Sequence, residues 1–163
     1  MRISSLLLIF FLQTCTALLE EAIVSFNYSS GAVPIYDAKI VHALDTAVGI
    51  TIAINNLASD WEAITGRRPG TSAYPSNNTQ GDSNATSAII IATYGSRLAS
   101  ELFENGCLGQ NSTILEGKRE AFTTSIGEEC LPGISRALVI TGSDMRGTIF
   151  GIYTLAEQAG QSP

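Results

Sequence analysis

The sequence has few of the residues on which metal sites and nucleophilic sites depend. Its 163 residues include three cysteines and a single histidine, His42, and only 15% of them are charged. Isolated cysteines and one histidine do not have the spacing of zinc ligands, so neither a metal nor another cofactor is predicted. No Gly-x-Ser-x-Gly pattern supplies a nucleophile for His42, which we therefore interpret as structural.

Positive charge is also scarce. Nine Lys and Arg residues stand against 15 Asp and Glu residues, and the formal net charge is -6. Nucleic acids and anionic membrane surfaces bind to basic patches. Neither is therefore expected as a partner.

Only the N-terminus carries an extended apolar run. Arg2 precedes the run Leu6–Leu12, and Thr14-Cys15-Thr16-Ala17 follows with small residues before a cut after Ala17. This order predicts a secretory signal peptide over residues 1–17 and a secreted, extracellular domain over 18–163. The alternative is a buried N-terminal strand. No run reaches the roughly 20 apolar residues of a membrane-spanning helix.

The remaining cysteines and the asparagines agree with secretion. Cys15 leaves with the signal peptide, so Cys107 and Cys130 remain as an even pair, which in a secreted chain indicates one disulfide. Four asparagines stand in N-glycosylation motifs and are expected to be exposed, because a glycan cannot be packed in a core. They are Asn27, Asn77, Asn84 and Asn111.

One segment has the clearest helical pattern. Apolar residues recur at spacings of three and four over residues 47–64, which places them on one helix face. Asp45 or Thr46 can cap the beginning of this helix, and Gly66 can end it in a left-handed conformation. Trp61 falls on the apolar stripe and is predicted to be buried.

Strand-like segments alternate with helix-like ones in the rest of the chain, which predicts an α/β fold: a mixed β-sheet packed against two or three helices in one domain. The last two strands are separated by a Pro132-Gly133 turn and are expected to pair antiparallel. Segment 67–87 is rich in Gly, Pro, Ser and Asn and is predicted to be a surface loop. The predicted strands are 22–28, one or two within 33–44, 88–94, 120–127 and 136–141, and the other predicted helices are 96–104 and 144–159.

The most patterned stretch is "ALVITGSDMRGTIFGIYTLAEQAGQSP", residues 137–163. In this stretch a predicted strand is followed by a turn and then a helix, and a phosphate-binding loop would occupy the turn. Gly147 stands at the position where such a loop needs lysine, so this function is not expected. Asp144 is expected to cap the helix. Arg146 lies unfavourably in the first turn, so we expect a carboxylate partner in this domain or in a neighbouring one.

Two glycines four residues apart, Gly147 and Gly151, remove side-chain bulk from one face of this helix. The adjacent apolar stripe is expected to pack on the domain's own sheet, and it consists of Ile149, Ile152, Tyr153 and Ala156. The glycine face would then be free to meet a second domain.

Carboxylates are numerous, but their spacing selects no catalytic pair. A glycosidase needs two carboxylates facing one cleft. Nothing in the sequence singles out two of the candidates, so no catalytic residue is predicted from the residues themselves. The candidates are Asp37, Asp60, Glu116, Glu120, Glu128, Glu129 and Glu157.

The C-terminal stretch resembles the end of the N-terminal domain of glycoside hydrolase family 115, the xylan α-1,2-glucuronidases. Three further motifs, "DWEAITGRRP", "AIIIATYGS" and "LEGKREAF", match that family in the same order. The resemblance covers roughly residues 30–163. It implies an accessory domain that is followed by a (β/α)8 barrel carrying the catalytic carboxylates of an inverting hydrolase.

The resemblance implies that this chain is a fragment without the barrel, inactive alone, whose glucuronoxylan substrate would bind to the missing part. Its C-terminal helix would contact the barrel, with Asp144, Arg146 and Gly147 at the interface or the edge of the pocket. Met145 stands where the family has lysine. Two alternatives remain: a free-standing carbohydrate-binding or interaction module, and an orphan domain that aggregates through an uncovered apolar face.

Overall fold

The computed structural model describes residues 23–24, 32–34, 36–75, 87–108 and 114–160. These residues form one α/β domain with a five-stranded mixed sheet and three helices, which confirms the predicted fold class. The strands are β1 (Lys39–Ala43), β2 (Thr71–Tyr74), β3 (Ser87–Thr93), β4 (Phe122–Leu131) and β5 (Ile134–Gly142). The helices are α1 (Val48–Thr65), α2 (Arg97–Glu104) and α3 (Met145–Gly160).

The strand order is β2-β1-β3-β5-β4. All neighbouring pairs are parallel except β4 and β5, which pair antiparallel through the Pro132-Gly133 turn as predicted. Successive side chains of a strand point to opposite faces, and the two faces carry separate cores. Ile89 and Ile91 of β3 pack with α1 and α3, whereas Ile90 packs with α2.

The middle of the predicted stripe of α1 is buried as expected, whereas Ile64 near its end is 44% exposed. The predicted cap of this helix is not formed. Trp61 is buried, and Gly66 ends the helix at φ 75°, both as expected. The residue before the helix is Ala47, which forms no side-chain cap, so the assignment of Asp45 or Thr46 is wrong. The Thr46 hydroxyl donates instead to the carbonyl of Ala43 and closes the turn after β1.

Strand β2 lies inside the segment predicted to be a loop. Thr71–Tyr74 pairs in parallel with Ile40–Ala43 at the edge of the sheet. The strand is short and polar and carries no alternating pattern, because its order comes from backbone pairing with β1 rather than from burial of one face. The sequence signal for it was therefore absent.

At the N-terminal side, the predicted strand 22–28 is described only at Ile23 and Val24, and neither residue lies in a strand. Both backbone N–H groups donate to Oε1 of Gln158 on α3, at 2.6 and 3.2 Å. Val33 is not in a strand either, and β1 begins only at Lys39. At Ile23 and Val24, hydrogen bonds to the Gln158 side chain of α3 therefore replace the predicted strand pairing.

A disulfide joins Cys107, just after α2, to Cys130 on β4, with the two Cα atoms 5.6 Å apart. It fastens α2 to the sheet over the second core. A Cβ atom on Gly127 would collide with both sulfur atoms, so this strand position has room only for glycine.

The predicted signal peptide and all four predicted glycosylation sites lie outside the described residues. None of the described helices is both long and apolar enough to cross a membrane.

Candidate functional site: the corner between β5 and α3

The site is built at the turn where β5 ends and α3 begins. The Asp144 carboxylate accepts a hydrogen bond from the backbone N–H of Gly147 at 2.8 Å, through Oδ1. This is the predicted helix cap, and it satisfies one of the free N–H groups of the first turn. The second oxygen, Oδ2, accepts from the backbone N–H of Glu120 at 3.0 Å. One carboxylate therefore joins the beginning of α3 to the segment that enters β4.

The segment entering β4 has an unusual backbone. Glu120 has φ 56°, in the left-handed region that residues with side chains rarely adopt. The next residue, Ala121, donates to Oγ of Ser143 at 3.1 Å and accepts from its backbone N–H at 2.8 Å. Three hydrogen bonds to the Ser143–Asp144 turn hold the segment in this conformation, which offsets its strain.

Arg146 has a partner inside the domain. Its guanidinium lies 2.8 Å from Oε1 of Glu120, and the two side chains are 64% and 43% exposed. The question that the sequence left open is thus resolved in favour of a carboxylate of the same domain. Because both groups face solvent, the pair contributes little stability.

The same hydrogen bonds affect the acidity of the corner. The N–H of Gly147, followed by the N–H of Glu120, stabilises the ionised form of Asp144 and lowers the pKa of that carboxyl below its usual value. The Asp144 carboxylate therefore stays ionised to lower pH than an aspartate without these hydrogen bonds.

The glycines of α3 have a different role from the one the sequence suggested. A Cβ atom on Gly147 would collide with the carbonyl oxygen of Ala121, and one on Gly151 would collide with Ile140 and crowd Phe122. The glycine face is therefore filled by β4 and β5 of the same domain and is not available to a second domain. The neighbouring stripe stays within the domain only in part: Ile152 is buried in the core and Ile149 packs against it, whereas Tyr153 is 43% exposed.

Of the three residues proposed for an interface or a pocket edge, Arg146 reaches the surface and Gly147 is buried. Asp144 is intermediate in burial and caps α3. Glu120 belongs to the same corner but was not singled out by sequence reasoning except as one carboxylate among seven. No local signal connects it with Asp144, because the two are 24 residues apart in the chain.

Three of the candidate carboxylates are paired with arginines. Glu120 pairs with Arg146, and the other two pairs are Asp37 with Arg67 at 2.7 Å and Glu128 with Arg136 at 3.8 Å. Among the described residues, no three His, Cys, Asp or Glu side chains are grouped so that they could hold a metal ion. These three ion pairs do not single out two carboxylates that face one cleft.

A cavity of about 180 Å³ lies beside the corner, and sequence reasoning missed it. The cavity opens at the carboxyl ends of β1 and β3. The helix that follows β1 packs on one face of the sheet and the helix that follows β3 packs on the other. Ligands usually bind at such a position in open α/β sheets. Thr93 and Thr148 line the cavity, and their side-chain hydroxyls form a hydrogen bond of 2.9 Å. Met145, Asp45 and Ser96 form part of its wall.

His42 lies on β1 and makes local contacts. Its Nδ1 is 2.8 Å from the carbonyl oxygen of Ala43 and 3.2 Å from Oγ1 of Thr46. These contacts agree with a structural role at the end of the strand.

No protein-family model matches the chain, and no curated protein matches it. Sixteen chains of solved structures do match. One of them, described as "Structure of CpGH84D", a glycoside hydrolase family 84 protein, aligns over 78% of this chain with a TM-score of 0.51 and 16% sequence identity. The chain spans only 18% of the length of that structure. At this identity the likeness concerns the fold alone, and it extends to one part of that structure.

Proposed function

We propose that this chain is the N-terminal accessory domain of a secreted glycoside hydrolase that resembles the xylan α-1,2-glucuronidases of family 115. The observation that carries the proposal is the similarity of its fold to less than a fifth of a glycoside hydrolase chain. The four sequence motifs that resemble family 115 support the assignment to that family. The C-terminal motif, residues 137–163, forms the β5–α3 corner.

The domain does not act as the catalytic unit in this proposal. An inverting glycosidase needs an acid and a base roughly 6.5–9.5 Å apart on one cleft. Three of the candidate carboxylates of this domain are instead engaged with arginines. The acid, the base and the pocket for glucuronoxylan belong to the barrel that the resemblance implies.

The surface proposed for the barrel is the outer face of α1 and α3. Large apolar side chains are exposed there, with Val48 at 76% and Ile52 at 55%. Residues 48–59 of α1 and 147–156 of α3 contain no charged residue, whereas exposed helix faces normally carry charges. Contiguous exposed apolar surface marks a site of protein contact. The other exposed members of this face are Met145, Phe150 and Tyr153.

The test has two parts. Sequencing the transcript beyond the codon for Pro163 is expected to give an open frame that encodes a (β/α)8 barrel. The purified chain is expected to release no glucuronic acid from glucuronoxylan. A stop codon directly after Pro163, or turnover by the pure chain, would contradict the proposal.

A second candidate, a free-standing carbohydrate-binding module, is favoured by one observation. Phe150 and Tyr153 are exposed on successive turns of α3, and the Tyr153 hydroxyl is held by Nδ2 of Asn56 at 2.9 Å. Two neighbouring aromatic rings can stack on sugar rings. Retention of the wild-type chain on a xylan column, lost in Phe150→Ala with Tyr153→Ala but kept in Phe103→Ala on the opposite face, would favour this module over the accessory domain.

A further inference from the structure

Helix α2 ends in an Asn-Gly pair. Asn105 is the exposed residue that closes the helix, and Gly106 follows it at φ 73°. Cys107, the next residue, carries the disulfide to Cys130. Asparagine followed by glycine is chemically reactive, since glycine has no side chain to hinder attack by its backbone nitrogen on the asparagine amide.

Both reacting groups are engaged in the folded protein. The backbone N–H of Gly106 donates to the carbonyl of Phe103 at 3.0 Å. The side-chain amide of Asn105 donates through Nδ2 to the carbonyl of Cys130 at 2.9 Å, which holds it towards β4. The disulfide fastens the same two segments together two residues further along the chain, at Cys107.

We propose that Asn105 is a deamidation site that the Cys107–Cys130 disulfide holds in check. In the reaction the Gly106 nitrogen loses its proton and bonds to Cγ of Asn105, the Cγ–Nδ2 bond breaks, and ammonia leaves with that proton. A water molecule then opens the five-membered imide to aspartate or isoaspartate. No oxidant or reductant takes part in these steps, and water is the co-reactant.

Reduction of the disulfide removes the covalent link between the end of α2 and β4. Partly buried side-chain hydrogen bonds then still join the two segments, from Asn105 to the Cys130 carbonyl and from Ser125 Oγ to the Cys107 carbonyl at 2.8 Å. Without the covalent link, local opening breaks the hydrogen bond of Asn105 without global unfolding. Once it opens, the amide of Asn105 is free to meet the Gly106 nitrogen. Reduction of the Cys107–Cys130 disulfide therefore promotes deamidation of Asn105.

The product would not restore the original contact. An aspartate at position 105 cannot donate to the Cys130 carbonyl, and it brings a second negative charge beside Glu104 at the C-terminus of α2, where negative charge is unfavourable. Deamidation after reduction would therefore oppose the return of the two segments to each other.

The experiment compares the oxidised chain with the reduced and alkylated chain, incubated at mildly alkaline pH. Peptide mapping by mass spectrometry measures the conversion of Asn105 from amide to acid. We expect conversion to be roughly tenfold or more faster after reduction, because locally opened states become more populated. Gly106→Ala in the reduced state is expected to suppress conversion, because the alanine side chain hinders attack by its backbone nitrogen even though alanine is strained at this left-handed position.

Hydrogen exchange on the same samples separates a local opening from global unfolding. We expect the amides of Gly106 and Cys107 to lose protection on reduction, while those of Ile89–Ile91 in β3 keep it. Equal conversion in the oxidised and reduced chains would overturn the proposal, as would equal loss of protection in β3 or an absence of conversion at Asn105 after reduction.

Discussion

The carboxylate of Asp144 holds the backbone of Glu120, 24 residues earlier in the chain, at 3.0 Å. Glu120 at φ 56° would be strained without such a restraint. The same carboxylate caps α3 through Gly147. Asp144 therefore stabilises the helix and the entry to β4 together, which makes it the central residue of the corner.

We expect Asp144→Ala to lower the midpoint of urea unfolding, since the mutation removes the cap and frees the segment at Glu120. Asp45→Ala is the matched control: Asp45 also precedes a helix but forms no cap there, so its loss should leave the midpoint nearly unchanged. Equal effects of the two mutations would contradict the role assigned to Asp144.

The lowered pKa of Asp144 predicts a dependence of stability on pH. A carboxyl whose pKa is lower in the folded state contributes stability above its unfolded pKa, near 3.8, and loses it as the pH falls through the folded pKa. Urea midpoints measured downward from pH 7 should therefore fall less steeply below about pH 4 in Asp144→Asn than in the wild type. Identical profiles for the two proteins would show that Asp144 does not contribute to the decline.

The glycines of the helices should differ sharply in their tolerance of alanine. Gly147→Ala forces a methyl group against the Ala121 carbonyl and is expected to destabilise the protein by about 3 kcal/mol. Gly49→Ala in α1 meets only flexible ends of Ile149 and Met145, at 3.4 and 3.5 Å. This control should stabilise the protein by about 0.5–1 kcal/mol, because alanine favours the helix. Thermal and urea unfolding of both variants measures the difference, and a neutral Gly147→Ala would contradict the close packing of α3 on β4.

The disulfide is expected to contribute substantially to stability. Its cysteines are 23 residues apart, and closing a loop of this length contributes about 3 kcal/mol in the chain-entropy account. The double variant Cys107→Ser with Cys130→Ser should lose that amount in urea unfolding. Wild type unfolded in the presence of a reductant should approach the variant, whereas an unchanged wild type would indicate that the bond is not formed in solution.

Several parts of the fold could be predicted because their signals are local. Helix α1 with the middle of its apolar stripe, strand β3 and helix α2 were each predicted from residues within one element, and the structure confirms these three elements. The cap of α1 could not be chosen correctly, because the Thr46 hydroxyl had a competing acceptor in the preceding turn. Strand β2 was missed because an edge strand needs only a partner's backbone.

The features of the candidate site also separate into those set by local sequence and those set by tertiary packing. The sequence by itself determined the strand–turn–helix unit, the cap at Asp144 and the need of Arg146 for an acidic partner, since spacing within a few residues sets these features. Only the tertiary structure decided that the partner is Glu120, that Gly147 and Gly151 admit β4 and β5 rather than another domain, and that a cavity opens beside Thr93 and Thr148. These contacts join residues that are distant in the chain, and the packing of the sheet is what brings them within reach.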